Sequence, residues 1–214
     1  LRGIPIIRNE NWCATGHIAL IEAVMAVASG VYDVVLALGV EKLKDTGFPG
    51  LGTGRGMHPV YEARRTSPGS FSLIATRYFH QYEIDPEKGK EMIGKIAVKN
   101  HYNGSLCPKA HFHNRITLED VMKAPIIAWP LGLFDCCGNS DGSAAAIVTR
   151  ADLAKKFRPD PIYIKGFGVA MDSMLPHFRP GFSWTSFDAL VKSSQKAYEM
   201  AYSIMSRSLL PPTL

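Results

Sequence analysis

Apolar positions fall in short blocks separated by polar turns. Ile4–Arg8 is β-branched and apolar and predicts a strand. Asn9-Glu10-Asn11-Trp12 has turn composition. Ala14–Ser29 is Ala-rich and apolar nearly all round, broken by His17 and Glu22. It predicts a buried helix that Gly30 ends. Asp33–Gly39 is an apolar run of the kind a parallel sheet buries on both faces. Strand, turn, helix and strand in this order predict one βαβ crossover.

From Lys44 to about Arg115 the pattern changes, with Gly and Pro clustered through residues 47–56 and 67–69. Leu73–Tyr82 reads as a helix. Asp85-Pro86-Glu87 opens another toward Asn100, with Met92, Ile93, Ile96 and Ala97 on one face. The stretch 44–115 is therefore expected to be an excursion from the sheet, partly helical and mostly surface. Thr117-Leu118-Glu119-Asp120 starts a further helix that Pro125 stops, and the turn at 138–143 leads into a buried strand, Ala144–Thr149. Arg150–Lys156 is a short helix. Arg158-Pro159-Asp160-Pro161 marks the expected boundary between segments 1–157 and 158–214. Beyond it, Ile162–Phe167 predicts a strand and Ser186–Met205 a helix whose apolar side carries Phe187, Leu190 and Val191.

Composition narrows the class. The 214 residues are 46% hydrophobic and 20% charged, the balance of a globular chain rather than a disordered or coiled-coil one. Glu22, Asp33 and Glu41 interrupt the longest apolar stretches, so no membrane span is expected. The net charge of +5 is spread along the chain. It suits an anionic small ligand such as a phosphorylated cofactor at least as well as nucleic acid. Four cysteines are too few for a disulfide scaffold, and the adjacent Cys136 and Cys137 suit neither a metal pair nor an ordinary bridge. A reducing, cytoplasmic setting is expected. Residue 1 is Leu rather than Met, and the chain is expected to be a piece of something longer.

Cys13 is the leading chemical candidate. It falls where the first strand gives way to the helix, beside backbone N–H groups without intrahelical partners and at the positive end of the helix dipole. Both favour thiolate over thiol. The small Ala14, Thr15 and Gly16 let a substrate approach the backbone, as at the nucleophile elbow of serine hydrolases. The alternative is a cysteine packed inertly in the core. Other groupings read more simply as structure. Cys107-x3-His111-x-His113 lacks the remaining ligands of a zinc site, and no metal is expected. His17 reads as a hydrogen-bonded buried histidine. The glycine-rich stretch 50–56 lacks the Gly-Lys-Ser/Thr ending of a phosphate loop. Arg55, Arg64, Arg65, Lys95 and Lys99 meet the phosphates of an anionic ligand or are simply solvated. Asp141-Gly142 reads as a turn.

Asn11-Trp12-Cys13-Ala14-Thr15-Gly16-His17, followed by Val34–Lys42 with its Gly39-Val40-Glu41-Lys42 ending, resembles the thiolase superfamily in its sterol-carrier-protein-type branch. So do Lys99-Asn100-His101, Leu118–Met122, Pro130-Leu131 and the run Asp135–Ala146, in the same order. The resemblance covers roughly Ile4 to Phe167. It implies a layered αβαβα α/β fold built of two similar halves, here incomplete: 1–157 as the N-terminal half and 158–214 as the start of the C-terminal half. It also implies acyl-CoA substrates, coenzyme A as co-substrate with no permanently bound cofactor, and Cys13 as the residue that takes the acyl group. A homodimer or higher assembly is implied, with a zinc-ribbon/OB-fold partner in some members. An aldolase-type lyase acting on CoA thioesters and a non-catalytic assembly subunit are the alternatives. The branch's His-Asp-x-Phe-like or Asn-Glu-x-Phe, Gly-His-Pro and second-cysteine motifs do not occur here. The catalytic histidines are expected outside this chain.

Overall fold

A computed structural model describes residues 2–46, 66–172 and 180–208. They form two compact units. The first comprises the described residues of 2–41, 141–172 and 188–208, and the second those of 42–140 and 180–187.

In the first unit a 3-10 turn, Trp12–Ala14, leads into helix α1, Thr15–Ala28. Gly30, at φ +76°, closes the helix in the left-handed region that glycine adopts without penalty. Strand β1, Val34–Glu41, pairs antiparallel with β4, Gly142–Thr149, from Val34↔Thr149 to Glu41↔Gly142. Arg150 follows β4 and clamps the open end of this ribbon. Its guanidinium bonds Asp33 Oδ1 at 3.1 Å and Asp152 Oδ2 at 2.8 Å, while the Thr149 hydroxyl donates to the Asp33 carbonyl at 2.9 Å. Helix α1 packs on the ribbon with Ile21, Ala23 and Val27 buried. Val35 and Ala37 are half-buried, whereas Val34, Leu36, Leu38 and Val40 on the alternate face remain 45–65% exposed.

Several sequence expectations change here. Ile4–Arg8 forms no strand, with Ile6 80% exposed, and β1 has an antiparallel partner, so the βαβ crossover is not formed among the described residues. A β-branched run supplies propensity, but a strand exists only where a neighbour accepts its hydrogen bonds. The two-faced burial expected of residues 33–39 and the burial expected of 144–149 are not reached, because among the described residues α1 covers one face only. Ile162–Phe167 is extended without a ladder. This segment lies instead against helix α6, Asp188–Ser208. A Cβ at Gly166 would come within 2.2 Å of the Ala197 carbonyl oxygen, and one at Gly168 within 1.9 Å of the Ser193 carbonyl oxygen. The packed side of α6 is thus its small-residue side, and Phe187, Leu190 and Val191 are exposed. Between β4 and this segment lies α5, Ala151–Phe157.

The second unit is helical around a small ribbon. Helix α2, Ser67–Gln81, starts at Thr66, whose hydroxyl accepts from Gly69 N–H at 3.2 Å. Helix α3, Pro86–Leu106, starts at Asp85, whose carboxylate accepts from Glu87 and Lys88 N–H, with Pro86 at the first position. Its buried residues are Gly89, Lys90, Gly94 and Ala97; Met92 and Ile96, placed on the apolar face from sequence, are half exposed. The short α4, Leu118–Lys123, sets fully buried Val121 in the core, and Ile126–Ala128 (β2) pairs with Leu131–Gly132 (β3) around a cis Trp129–Pro130 bond.

Helix α4 opens with a reciprocal cap. Asp120 N–H donates to the Thr117 hydroxyl at 3.1 Å, and Thr117 N–H to Asp120 Oδ2 at 2.8 Å. The backbone N–H and then the hydroxyl of Thr117 hold the Asp120 carboxyl below its ordinary value. A lowered folded-state value means that this contribution is complete above the ordinary carboxylate range and is lost as pH falls through the lowered one. Thr117→Ala is expected to cost about 1 kcal/mol at neutral pH. It should also let Asp120 titrate closer to its ordinary value, measured by denaturant unfolding and by carboxyl NMR.

Candidate active site

The turn that carries Cys13 is built by its neighbours in sequence. Glu10 Oε1 accepts from Trp12 N–H at 2.7 Å and lies 3.2 Å from the Thr15 hydroxyl. That hydroxyl accepts from Asn11 N–H at 2.7 Å and reaches the Trp12 carbonyl at 2.7 Å. Ala14 N–H donates to the Asn11 carbonyl at 3.0 Å. The N–H groups on either side of Cys13 are therefore committed to a clasp of Glu10, Asn11 and Thr15. Within it Trp12 takes φ +50°, the left-handed region that a bulky residue enters at a cost of roughly 1–3 kcal/mol. Strain of this kind concentrates where a side chain must be aimed.

Cys13 itself is exposed. Helix α1 has no side-chain N-cap and no acidic residue in its first turn, so its positive end is not offset within the helix. A Cβ at Gly16 would meet no atom within 4 Å, so the backbone above the first turn is open. Among the described residues nothing buries Cys13, in contrast to the packed cysteine given as its alternative. His17, expected to be buried, is exposed on α1.

The other cysteines lie in the second unit. Cys107 caps α3 through its N–H, and Cys137 is exposed. Burial pushes the half-buried Cys136 thiol up; the neighbouring Asp135 carboxylate and Cys137 push the same way, against Lys90. The protonated thiol therefore stabilises the fold below the ordinary thiol range, and that contribution is lost as pH rises through the raised value. At pH 7 iodoacetamide is expected to label Cys13, Cys107 and Cys137 before Cys136, in a peptide mass-spectrometric time course.

Sequence reasoning missed one pairing entirely. Lys90 and Asp135, 1% and 2% exposed at their side chains, form an ion pair, and Asp135 Oδ2 also accepts from Gly132 N–H at 2.7 Å. Asp135 Oδ1 is buried without a partner among the described residues. The signal was present: Lys90, Gly94 and Ala97 fall at i, i+4 and i+7 on α3, a lysine inside a small-residue stripe. His111 meets the Ser140 hydroxyl at 2.9 Å rather than Cys107. Among the described residues no group of three or more His, Cys, Asp or Glu side chains is arranged to hold a metal ion. Of the basic candidates for coenzyme A phosphates, Lys95 pairs with Glu91 at 2.8 Å and Lys99 is exposed on α3. Arg55, Arg64, Arg65 and the glycine-rich stretch 50–56 lie outside the described residues.

No profile of a known protein family matches the chain. Individual proteins do. It is 36% identical over 203 residues to an acetyl-CoA acetyltransferase of Methanothermobacter thermautotrophicus, covering 94% of this chain and 51% of that protein. A protein of the same name in Methanocaldococcus jannaschii is 38% identical, with the same two coverages. Sterol carrier protein 2 of Gallus gallus is 28% identical over 94% of this chain and 39% of its own length. Among solved structures, an Ltp2-ChsH2(DUF35) aldolase superposes with a TM-score of 0.68 at 25% identity, over 89% of this chain and 49% of that one. A monomeric SCP2-thiolase-like protein type 1 from Mycobacterium smegmatis gives 0.69 at 15% identity, over 88% and 40%. The chain is thus similar over most of its length to acetyl-CoA acetyltransferases and to sterol carrier protein 2, and its fold is thiolase-like. It spans about half the length of the curated relatives it matches, as an incomplete α/β thiolase-like fold. No helix among the described residues is long and apolar enough to cross a membrane.

Proposed function

We propose that the protein is a thiolase-type acyltransferase that cleaves a 3-oxoacyl-CoA with coenzyme A, or runs the reverse Claisen condensation, through an acyl thioester on Cys13. The observation that carries this reading is the exposed Cys13 in a strained turn at the uncapped start of α1. The Cys13 thiolate attacks the 3-oxo carbon, the bond between C2 and C3 breaks, and the acetyl-CoA enolate that leaves takes up a proton. The thiolate of coenzyme A then attacks the acyl-enzyme and restores the Cys13 thiolate. A covalent intermediate divides one difficult acyl transfer into two easier ones. The Cys13 N–H is the donor assigned to the developing oxyanion, since its neighbours serve the clasp.

The groups that move the two protons belong to motifs absent from this sequence, and they are assigned to chain outside it. The division into an N-terminal half, 1–157, and the start of a second, 158–214, is part of the same reading. So are a homodimer or larger assembly, a zinc-ribbon/OB-fold partner and a cytoplasmic location.

A second reading, an aldolase-type lyase on CoA thioesters, is favoured by the superposition on the Ltp2-ChsH2(DUF35) aldolase. One experiment separates the two: mass spectrometry of the complete native enzyme after mixing with acyl-CoA alone. An acyl adduct on the peptide holding Trp12 and Cys13 is expected of the acyltransferase. Turnover without an adduct transfers the assignment to the lyase.

A further inference from the structure

The Asn11 carbonyl accepts from Ala14 N–H, so residues 11–14 form a turn with Trp12 and Cys13 at its two central positions. Trp12 takes φ +50° there. A positive φ at the first central position suits Gly, Asn and Asp, and a bulky residue keeps it only when its surroundings hold it. Burial of the indole does not supply that hold, since Trp12 is 69% exposed. Nor does the preceding chain, because Ile4–Arg8 has no ladder among the described residues. The hold comes from two side chains. Thr15 fixes the Trp12 carbonyl, through its hydroxyl and its N–H. Glu10 fixes the other peptide: its Oε1 accepts from Trp12 N–H at 2.7 Å. With the peptide groups on both sides of Trp12 held, its φ and ψ are held too.

The same Glu10 oxygen lies 3.2 Å from the Thr15 hydroxyl, so it also ties the turn to the first residue of α1. Without it the peptide before Trp12 is released and Trp12 relaxes toward negative φ. The Asn11–Ala14 closure then opens, and Cys13, the second central residue, loses its single direction. The charge of Glu10 acts in the opposite sense, because an anion near a thiol favours the protonated form. Position and charge at Glu10 therefore predict opposite results when the carboxylate is made neutral.

We infer that Glu10 is a positioning residue for Cys13: its carboxylate holds Trp12 in the left-handed region and so aims the Cys13 thiol and N–H at the substrate. The inference rests on the acyl-transfer reading above and adds a residue that this chemistry needs besides the nucleophile.

The test is steady-state thiolysis by the complete enzyme, with coenzyme A and either acetoacetyl-CoA or 3-oxooctanoyl-CoA, and a thermal melt of each variant. Glu10→Ala is expected to lower kcat about tenfold and to leave KM within about twofold. Glu10→Gln keeps an acceptor oxygen on an arm of the same length, so its kcat should stay within about threefold of the parent. Glycine adopts positive φ without a hold, so adding Glu10→Ala to Trp12→Gly should cost less than about threefold. That pair decides the matter should Glu10→Ala alone melt early. A support of the fold alone would move the melt and leave the Trp12→Gly background as sensitive to Glu10 as the parent. Parental kcat in Glu10→Ala, Glu10→Gln as slow as Glu10→Ala or faster than the parent, or an undiminished loss in the Trp12→Gly background overturns the inference and leaves the acyltransferase reading standing. Thiolysis retained in Cys13→Ala, or absent from the parent with both esters, overturns that reading and the inference with it.

Discussion

Cys13→Ala in the complete enzyme is expected to lower thiolysis by on the order of 10⁴-fold or more, the scale of loss when a covalent nucleophile is removed. Stability should stay within about 0.5 kcal/mol, because the side chain is exposed and the substitution takes away one sulfur atom. The clasp of Glu10, Asn11 and Thr15 uses backbone groups and the Glu10 and Thr15 side chains, so the turn survives the change. Steady-state kinetics and a thermal melt on the same preparation check both halves of this expectation. Retained thiolysis overturns the nucleophile assignment. Cys136→Ser is the contrasting case: Cys136 is half-buried beside Asp135, so its loss should register in the melt rather than in turnover.

Lys90→Met should be the most destabilising single change in the second unit, at about 3–5 kcal/mol. The pair is almost wholly removed from water. Taking away the ammonium leaves a buried carboxylate whose Oδ2 keeps only the Gly132 N–H and whose Oδ1 has no partner among the described residues. The loss therefore reflects an uncompensated charge as much as a missing attraction. That distinction is measurable. Adding Asp135→Asn removes the charge and preserves a carbonyl oxygen for Gly132 N–H, so the double variant should be more stable than Lys90→Met alone. Urea unfolding of the parent, both single variants and the double variant closes the cycle. A Lys90→Met variant within about 1 kcal/mol of the parent would show that the unit does not depend on the pair.

Helices were legible in the sequence because their ends are written locally. Asp85-Pro86 and the Thr117–Asp120 cap announce α3 and α4 through hydrogen bonds spanning three residues. Strand pairing is not local. Ile4–Arg8 and Ile162–Phe167 have the composition of strands and no ladder, while residues 33–39 met an antiparallel partner more than 100 residues away. Burial faces suffered likewise: α3 turns Lys90 and glycines inward, and α6 turns Ser193 and Ala197 toward its neighbour, where apolar periodicity points elsewhere. At the site, the strand–helix position of Cys13 and its motif were readable. The left-handed Trp12 and the Glu10–Thr15 clasp depend on φ angles and side-chain reach that residue types alone do not specify.

Gly166 and Gly168 lie where the extended segment touches α6 backbone to backbone, remote in kind from any acyl chemistry. Any side chain there has to push the helix away, since what it meets is main chain rather than a rotatable group. Natural variation should therefore be as restricted at these two positions as at Cys13, the proposed nucleophile, but for a different reason. On the proposed acyl-transfer reading, alleles altered at Cys13 would accumulate as intact, idle protein. Alleles altered at Gly166 or Gly168 would be cleared by cellular quality control, and the few molecules remaining would be as competent per copy as the parent.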